Sequence, residues 1–549
     1  MPALPAGITL GPASATRGRS IVAARVFSPG DAIATFTGPS VAIPDSPHLA
    51  QTCSYCLAVA PDAEAGNGTR VDVCTGCRTV CYCSKACQKA DWALAHGRGE
   101  CKAFRRVRSH LQEAQSGGAM VLPTPVRALV QMLLRPEMQA AAAEMEGHVE
   151  LIRAGDPATW SDMELQARAA LRYMGREASP DTVGEAVVVL CKLQVNSFNR
   201  LDVDSDESGI YINPALAMVN HSCVPNAFVQ FVGRNAVLHA YQEIKESEEI
   251  EISYIESTLL HRSQRQHALR TRYHFDCVCP RCKDDLDVYQ VCQMYPHLEL
   301  NTFSLVPDLH KTREHPAKYP LHSNKPLQQN IEEVYPSCST SLQGLHLAEK
   351  YRTLQQRWKA CAQLRKAELY AIEPLTQVLV EANIYFSERG NFQYSLAISC
   401  FLALNCHPYQ KPMPFSGPRM KGMLMVAKLL AAVPPSPASS ASSGDLSTRI
   451  SQAMDGMDQA TMCQIVLAMV VHYGQAAHSK EWQVYRQARE LLDDVESLPG
   501  RETENALINA FIRNPNGSEE RRFFKTAVLD PIQTLSDFAL EIMDTEFNI

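Results

Sequence analysis

The spacing of apolar positions changes several times along the chain. Residues 1–50 carry short apolar stretches, "SIVAARVF" and "DAIATFTG", punctuated by Gly and Pro, which predicts short strands and turns. Between 120 and 195 the spacing widens to helical periods, and "PVRALVQMLL" and "GEAVVVLCKLQVNSF" predict helices. From about 205 to 260 the period falls to two. "AFVQFV" and "AVLHAY" flank "GRN" and predict a β-hairpin, while "EEIEISY" alternates so that Ile250, Ile252 and Tyr254 share one face. Residues 286–334 read as irregular and Pro-containing. From about 335 to the end long helical patterns dominate, with prolines at 407–430 predicting a loop between helices. The low-complexity stretch "VPPSPASSASSGD" (433–445) predicts a flexible insertion. There is no clean fixed-period repeat, although the helix pairs around 382–404 suggest a degenerate tetratricopeptide-like arrangement.

Composition narrows the function classes. A chain of 549 residues has room for roughly three or four domains. Its net charge of −7 argues against a protein whose main task is gripping nucleic acid phosphates. Residues 96–110 and 261–274 are locally basic but are not interleaved with several aromatics, so solvated helix faces are expected. No run reaches the ~18–20 apolar residues of a membrane span. The N-terminus lacks a compact apolar core ahead of a cleavage site, so no secretory signal is expected; its acid-free, Arg- and Ser-containing composition up to Asp31 leaves a transit peptide as the minor alternative. The Asn-x-Ser/Thr triplets at Asn67, Asn220 and Asn516 are then expected to be chance.

The 19 cysteines are clustered, which without a signal peptide points to metal rather than disulfides. Residues 53–101 hold Cys53-x2-Cys56, Cys74-x2-Cys77, Cys83-x3-Cys87, His96 and Cys101. Seven Cys and one His suffice for two tetrahedral zinc sites. The block has too few large apolar residues for a core of its own, so metal is expected to hold it together. Cys81 falls outside this pattern and reads as a buried apolar thiol. "FDCVCPRC" adds Cys277, Cys279 and Cys282, three ligands in need of a fourth. Cys292 is nearby, Cys223 in "NHSCVPNA" is distant, and spacing alone does not choose.

"YCSKACQKADWALAH…C" closely resembles the MYND zinc finger. "NHSCVPNA", "EEIEISY" and "RYHFDCVCPRC" resemble the C-terminal half of a SET domain with its post-SET cysteines. Together they resemble the SET-and-MYND family of protein-lysine methyltransferases over roughly residues 1–285. The resemblance implies an α+β fold: a SET-type β fold with an inserted MYND finger and helical insert, a post-SET zinc site and a C-terminal all-α, tetratricopeptide-like domain. The expected divisions are 1–50 for the first part of the SET domain, 53–101 for the finger, 102–195 for the helical linker and insert, 196–260 for the core SET domain, 261–285 for the post-SET segment and 335–549 for the helical domain.

The same resemblance distributes roles. It interleaves the finger sites, with Cys53, Cys56, Cys83 and Cys87 on one zinc and Cys74, Cys77, His96 and Cys101 on the other. It assigns Cys223 to the third zinc with Cys277, Cys279 and Cys282. It implies S-adenosylmethionine as cofactor, contacted by Asn196, Asn220, His221, Tyr254, Phe275 and the turn Arg17-Gly18-Arg19. Tyr254 and Tyr273 match the active-site and lysine-channel aromatics, although packing on the Ile250/Ile252 face is a sufficient reason for Tyr254. The sequence departs from the family in three places. Four residues rather than three separate His96 from Cys101, Cys81 is additional, and Ser20 stands where a glycine is usual.

The expected activity is methyl transfer to a lysine of a histone or non-histone protein. The alternative is a non-catalytic adaptor with a scaffold SET fold. A monomer in the nucleus and/or cytoplasm is expected, with the protein substrate as partner and proline-rich peptides at the finger, and without nucleic acid or membrane as main partner.

Overall fold

A computed structural model of the chain describes residues 3–13, 17–59, 70–113, 121–201, 207–255, 261–294, 296–306, 312, 314, 321, 324–433, 446–477 and 482–548. It divides into two compact units, one of residues 1–255 with 266–277, the other of residues 256–265 with 278–549.

The first unit is built of short strands. β1 (Ile8–Leu10) pairs with β2 (Ile21–Ala23), and β3 (Ala32–Phe36) closes a three-stranded sheet with the hairpin of β10 (Ala227–Val232) and β11 (Asn235–Ala240). The hairpin turn is tighter than the expected "GRN": Val232 pairs with Asn235, leaving Gly233 and Arg234, and Gly233 takes the positive φ of +56°. β4 (Val41–Pro44) pairs antiparallel with β8 (Glu207–Ile212), which in turn pairs with β7 (Phe198–Leu201). All four β4 residues are buried. Val41 and Ile43 face one apolar cluster with the insert helices and the finger. Ala42 faces a second, with Ile21, Phe27, Phe36, Leu238, Ile250 and Ile252.

The regular part of "EEIEISY" is short. Only β12 (Glu251–Ile252) forms, parallel to β9 (Asn220–His221). The segment before it is still extended: the Ile250 N–H donates to the Ile21 carbonyl at 2.8 Å, and Ile250 and Ile252 are buried as the alternation requires.

Between β4 and β7 run the finger and the insert. In the finger, β5 (Asp72–Val73) pairs with β6 (Cys81–Tyr82). The metal-only expectation for this block is too narrow. Cys53, Cys74, Cys77, Val80 and Tyr82 share one apolar cluster with Phe104, Val126, Leu129 and Val187, so neighbouring helices supply the core that the block lacks. The helix Pro180–Asn196 starts at Ser179, whose Oγ accepts from the Thr182 N–H, and buries Val183, Val187 and Leu190 on one face.

Among its described residues the second unit has helices and no strand. Helices Leu375–Glu388 and Phe392–Asn405 form a hairpin across Gly390, which has a φ of +77°. Residues 286–334 are more regular than their prolines suggested. They contain helix Val288–Met294 and most of Lys325–Cys338, where Pro326 sits in the first turn and needs no N–H partner. The expected loop at 407–430 is short, because a helix resumes at Gly417–Ala432. The stretch 434–445 and Asn67 lie outside the described residues. Among the described residues no helix is long and apolar enough to cross a membrane.

Candidate cofactor pocket and metal centres

Twelve predicted ligands fall into three groups of four, and in each the ligand atoms lie within 4.8 Å of one another. In the first, Cys83 Sγ is 3.5 Å from both Cys56 and Cys87, with Cys53 as fourth member. Ser84 caps the helix Lys85–Asp91 and accepts from the Cys87 N–H, which fixes the x3 spacing on one helical turn. In the second, His96 Nε2 is 3.4 Å from Cys74 Sγ and 3.7 Å from Cys77 Sγ, and Cys101 completes the set. In the third, Cys223 and Cys277 are 3.9 Å apart, with Cys279 and Cys282. A tetrahedron with Zn–S bonds of ~2.3 Å has edges of about 3.8 Å, whereas a disulfide brings sulfurs to about 2.05 Å. The donor sets therefore fit zinc, and none keeps an open position for chemistry. Cys292 lies elsewhere, its thiol against the Pro408 and Tyr409 carbonyls. Cys81 belongs to no ligand group; burial, then the neighbouring Cys77 and Cys53, pushes its thiol up, as befits an inert side chain.

The four-residue gap between His96 and Cys101 is absorbed by a widened helical turn. Over Trp92–Glu100 the hydrogen bonding loosens, and the Cys101 N–H reaches the His96 carbonyl five residues back. Gly99 makes this possible, with a φ of +152°. Glu100 is fully buried and accepts from His96 Nδ1 at 2.8 Å.

Of the residues expected to hold the cofactor, Arg17, Gly18, Arg19, Asn220, His221 and Phe275 gather around β9 and β12, whereas Asn196 makes its contacts with Glu146 and Lys192. The Asn220 side-chain amide donates to the Arg19 carbonyl at 3.0 Å and to Glu249 at 2.9 Å. The Arg17 guanidinium reaches Glu249 (3.2 Å), Glu251 and the His221 carbonyl (3.3 Å). Glu249 and Glu251 are two apart on an extended segment and so share the face opposite Ile250 and Ile252. Gly18 has a φ of +70° with open space where a Cβ would stand, so backbone conformation rather than packing selects glycine. Ser20 is buried and donates to the Pro12 carbonyl at 3.1 Å. Asn196 ends its helix and donates to the Glu146 carbonyl (2.6 Å) and the Lys192 carbonyl (2.8 Å).

His221 has both ring nitrogens engaged within the chain. Nδ1 accepts from the Tyr254 N–H at 3.0 Å, so the proton sits on Nε2, 3.3 Å from Cys223 Sγ. Tyr254 donates to the Val219 carbonyl at 2.6 Å, and Tyr273 to the Tyr254 carbonyl at 3.3 Å. The Tyr254 ring lies 4.9 Å from Tyr273 and 5.2 Å from His221, with Phe275 6.0 Å from His221. The helix Arg262–Tyr273 stops because His274 turns left-handed (φ +57°), and this brings Tyr273 and Phe275 to the same cluster. Burial pushes both tyrosines above the usual phenol value, with Tyr273 adding to the effect on Tyr254.

Residues 18–255 match the SET domain family model. SET domain and MYND-type zinc finger protein 6 of Schizosaccharomyces pombe is 35% identical over 245 residues, 44% of this chain and 45% of the relative. The match to the SET domain model and to this SET-and-MYND relative thus covers less than half of the chain. Histone-lysine N-methyltransferase ASHR1 of Arabidopsis thaliana is 27% identical over 284 residues, 49% of this chain and 53% of the relative. N-lysine methyltransferase SMYD2 of Homo sapiens is 27% identical over 273 residues, covering 48% and 58%. The chain spans about half the length of the curated relatives it matches. Sequence reading missed Glu100, Glu249, Glu251 and Asn226. Asn226 is buried and clamps the segment by accepting from the Glu251 N–H and donating to the Glu249 carbonyl, both at 2.8 Å. The Glu100 signal was available, because it stands four residues after His96 in a helical stretch.

Proposed function

We propose that this protein transfers a methyl group from S-adenosylmethionine to a lysine side chain of a histone or non-histone protein. The cofactor supplies an electrophilic methyl on a sulfonium. What supports the reading is the pair of tyrosines, the part-buried Tyr254 and the buried Tyr273, in one aromatic cluster with His221 and Phe275. Two relatives named as lysine methyltransferases support it further.

At pH 7 only ~0.04% of an ordinary lysine is neutral and able to attack. An apolar, aromatic-walled site disfavours the ammonium and raises that fraction. Tyr254, whose proton is committed to the Val219 carbonyl, presents its oxygen as acceptor to the amine N–H. Both phenols are held protonated, so neither serves as a general base, and the remaining work is alignment. Asn196, Asn220, His221, Tyr254, Phe275 and the turn Arg17–Arg19 would hold the cofactor. Proline-rich peptides at the finger and action as a monomer in the nucleus and/or cytoplasm belong to the same reading.

The test is incubation of purified protein with labelled S-adenosylmethionine and protein extracts, with thermal unfolding followed in parallel. Label on lysine and a cofactor-dependent rise in melting temperature are expected. Neither label nor thermal shift would sink the reading and leave the adaptor.

A further inference from the structure

The second zinc centre does not end at its four ligands. Glu100, 0% exposed, joins two parts of the chain. One carboxylate oxygen accepts from His96 Nδ1 at 2.8 Å. The other accepts from Arg127 Nε at 2.9 Å and Gln131 Nε2 at 2.8 Å. Arg127 and Gln131 stand one turn apart on the helix Thr124–Leu133, beyond the last finger cysteine, and both are buried. The connection continues: Arg135 Nε donates to the Gln131 carbonyl at 3.0 Å, and its guanidinium reaches the Ser40 carbonyl just before β4.

His96 Nε2 faces the thiolates, so Nδ1 carries the proton that Glu100 accepts. A carboxylate on that proton fixes the ring orientation and makes the metal-facing nitrogen a better donor. A buried carboxylate needs a fixed partner, and Arg127 is that partner. The extra residue between His96 and Cys101 thus has a use: the widened turn brings Glu100 inward while Cys101 still reaches the metal group.

We propose that Glu100 is the outer-shell carboxylate of the Cys74–Cys77–His96–Cys101 centre, and that Arg127 and Gln131 are positioning residues through which zinc in the finger is coupled to the helical insert. Zinc held there orders the helix Thr124–Leu133, and that helix in turn tightens the site.

The experiment uses the full chain loaded with zinc and a chromophoric chelator that reports each equivalent released. Glu100→Gln preserves shape and removes the charge. Gln131→Leu removes one donor and leaves the Arg127 pair. Glu541→Gln, in an exposed pair with Arg449, is the control. One of three equivalents should bind about 10–100-fold more weakly in Glu100→Gln, less so in Gln131→Leu, with the other two unchanged. Cobalt substitution should show altered ligand-field bands for one ion in three, a change that mere loosening of the fold would not confine to one site. Hydrogen exchange after partial chelation should show loss of protection at 124–135. Wild-type affinity for all three equivalents would overturn the proposal, as would equal weakening of all three in both variants.

Discussion

Replacing Tyr254 by Phe deletes one oxygen from the aromatic cluster and nothing else. Two costs follow, and they are separable. The first is structural. The Val219 carbonyl is buried and accepts from this hydroxyl at 2.6 Å; without it the acceptor is orphaned, which costs about 1–3 kcal/mol. In a unit of this size that lowers the melting temperature by roughly 2–4 °C per kcal/mol. The second is catalytic. A positioned polar contact at a reacting centre contributes about 3–4 kcal/mol, so methyl transfer should fall ~10²–10³-fold. Aromatic packing against Tyr273 and His221 does not involve the hydroxyl, so cofactor binding should survive. Initial rates with labelled S-adenosylmethionine, measured well below the melting temperature beside a cofactor-binding titration, separate the two. Wild-type turnover by a variant with the expected thermal loss would refute the role given to the hydroxyl and return Tyr254 to packing alone.

Three further predictions concern stability. Asn226→Ala removes two 2.8 Å bonds that clamp the Glu249–Glu251 backbone, and urea unfolding should show a loss of about 2–4 kcal/mol. Gly99→Ala imposes a side chain at a φ of +152°, with its methyl 2.8 Å from Leu134 Cδ2; about 1–2 kcal/mol of stability and tight zinc retention should be lost together, read by chelator release. Glu373 is buried, and burial above all raises its carboxyl from 4.5 to about 7, outweighing the Gln377 N–H and Gln410 contacts. The folded chain therefore holds a proton that the unfolded chain releases between these values. Stability should fall by on the order of 3 kcal/mol as pH rises through that window and level off above it. Glu373→Gln should flatten the profile, and an unchanged slope in pH-dependent denaturant melts would count against this origin.

The zinc ligands were legible because metal binding demands residue types at fixed spacings, and Cys-x2-Cys survives any detail of fold. The distant ligand Cys223 was not: spacing left Cys292 equally open, and only the family resemblance chose between them. The alternation of "EEIEISY" gave the correct buried face, yet only Glu251 and Ile252 pair as a regular strand, because pairing depends on a partner that periodicity does not reveal. Ionic and outer-shell contacts were the least visible. Glu100 meets Arg127 and Gln131 across 27 and 31 residues, and Arg17 meets Glu249 and Glu251 across 232 and 234. Nothing local marks such pairs. Pro326 and Pro418 were over-read, since both occupy helix first turns that tolerate them, and Pro336 lies inside its helix only two residues before its end.

The pairing of β4 with β8 has a consequence for the order in which the chain assembles. The strands are hydrogen-bonded neighbours, yet the finger, the insert and β7 separate them by about 160 residues. As a flexible loop, that excursion would add only about 3 kcal/mol to closure relative to a four-residue turn. Time is the larger obstacle, since long-range strand pairing waits on diffusion through all the intervening chain. A finger that has taken up zinc, docked on a helical insert tied to Ser40 through Arg135, shortens that path to the span of a folded insert. Metal supply would then set how fast the SET sheet closes, and a zinc-starved chain would expose β4, all four of whose residues are otherwise covered, for longest.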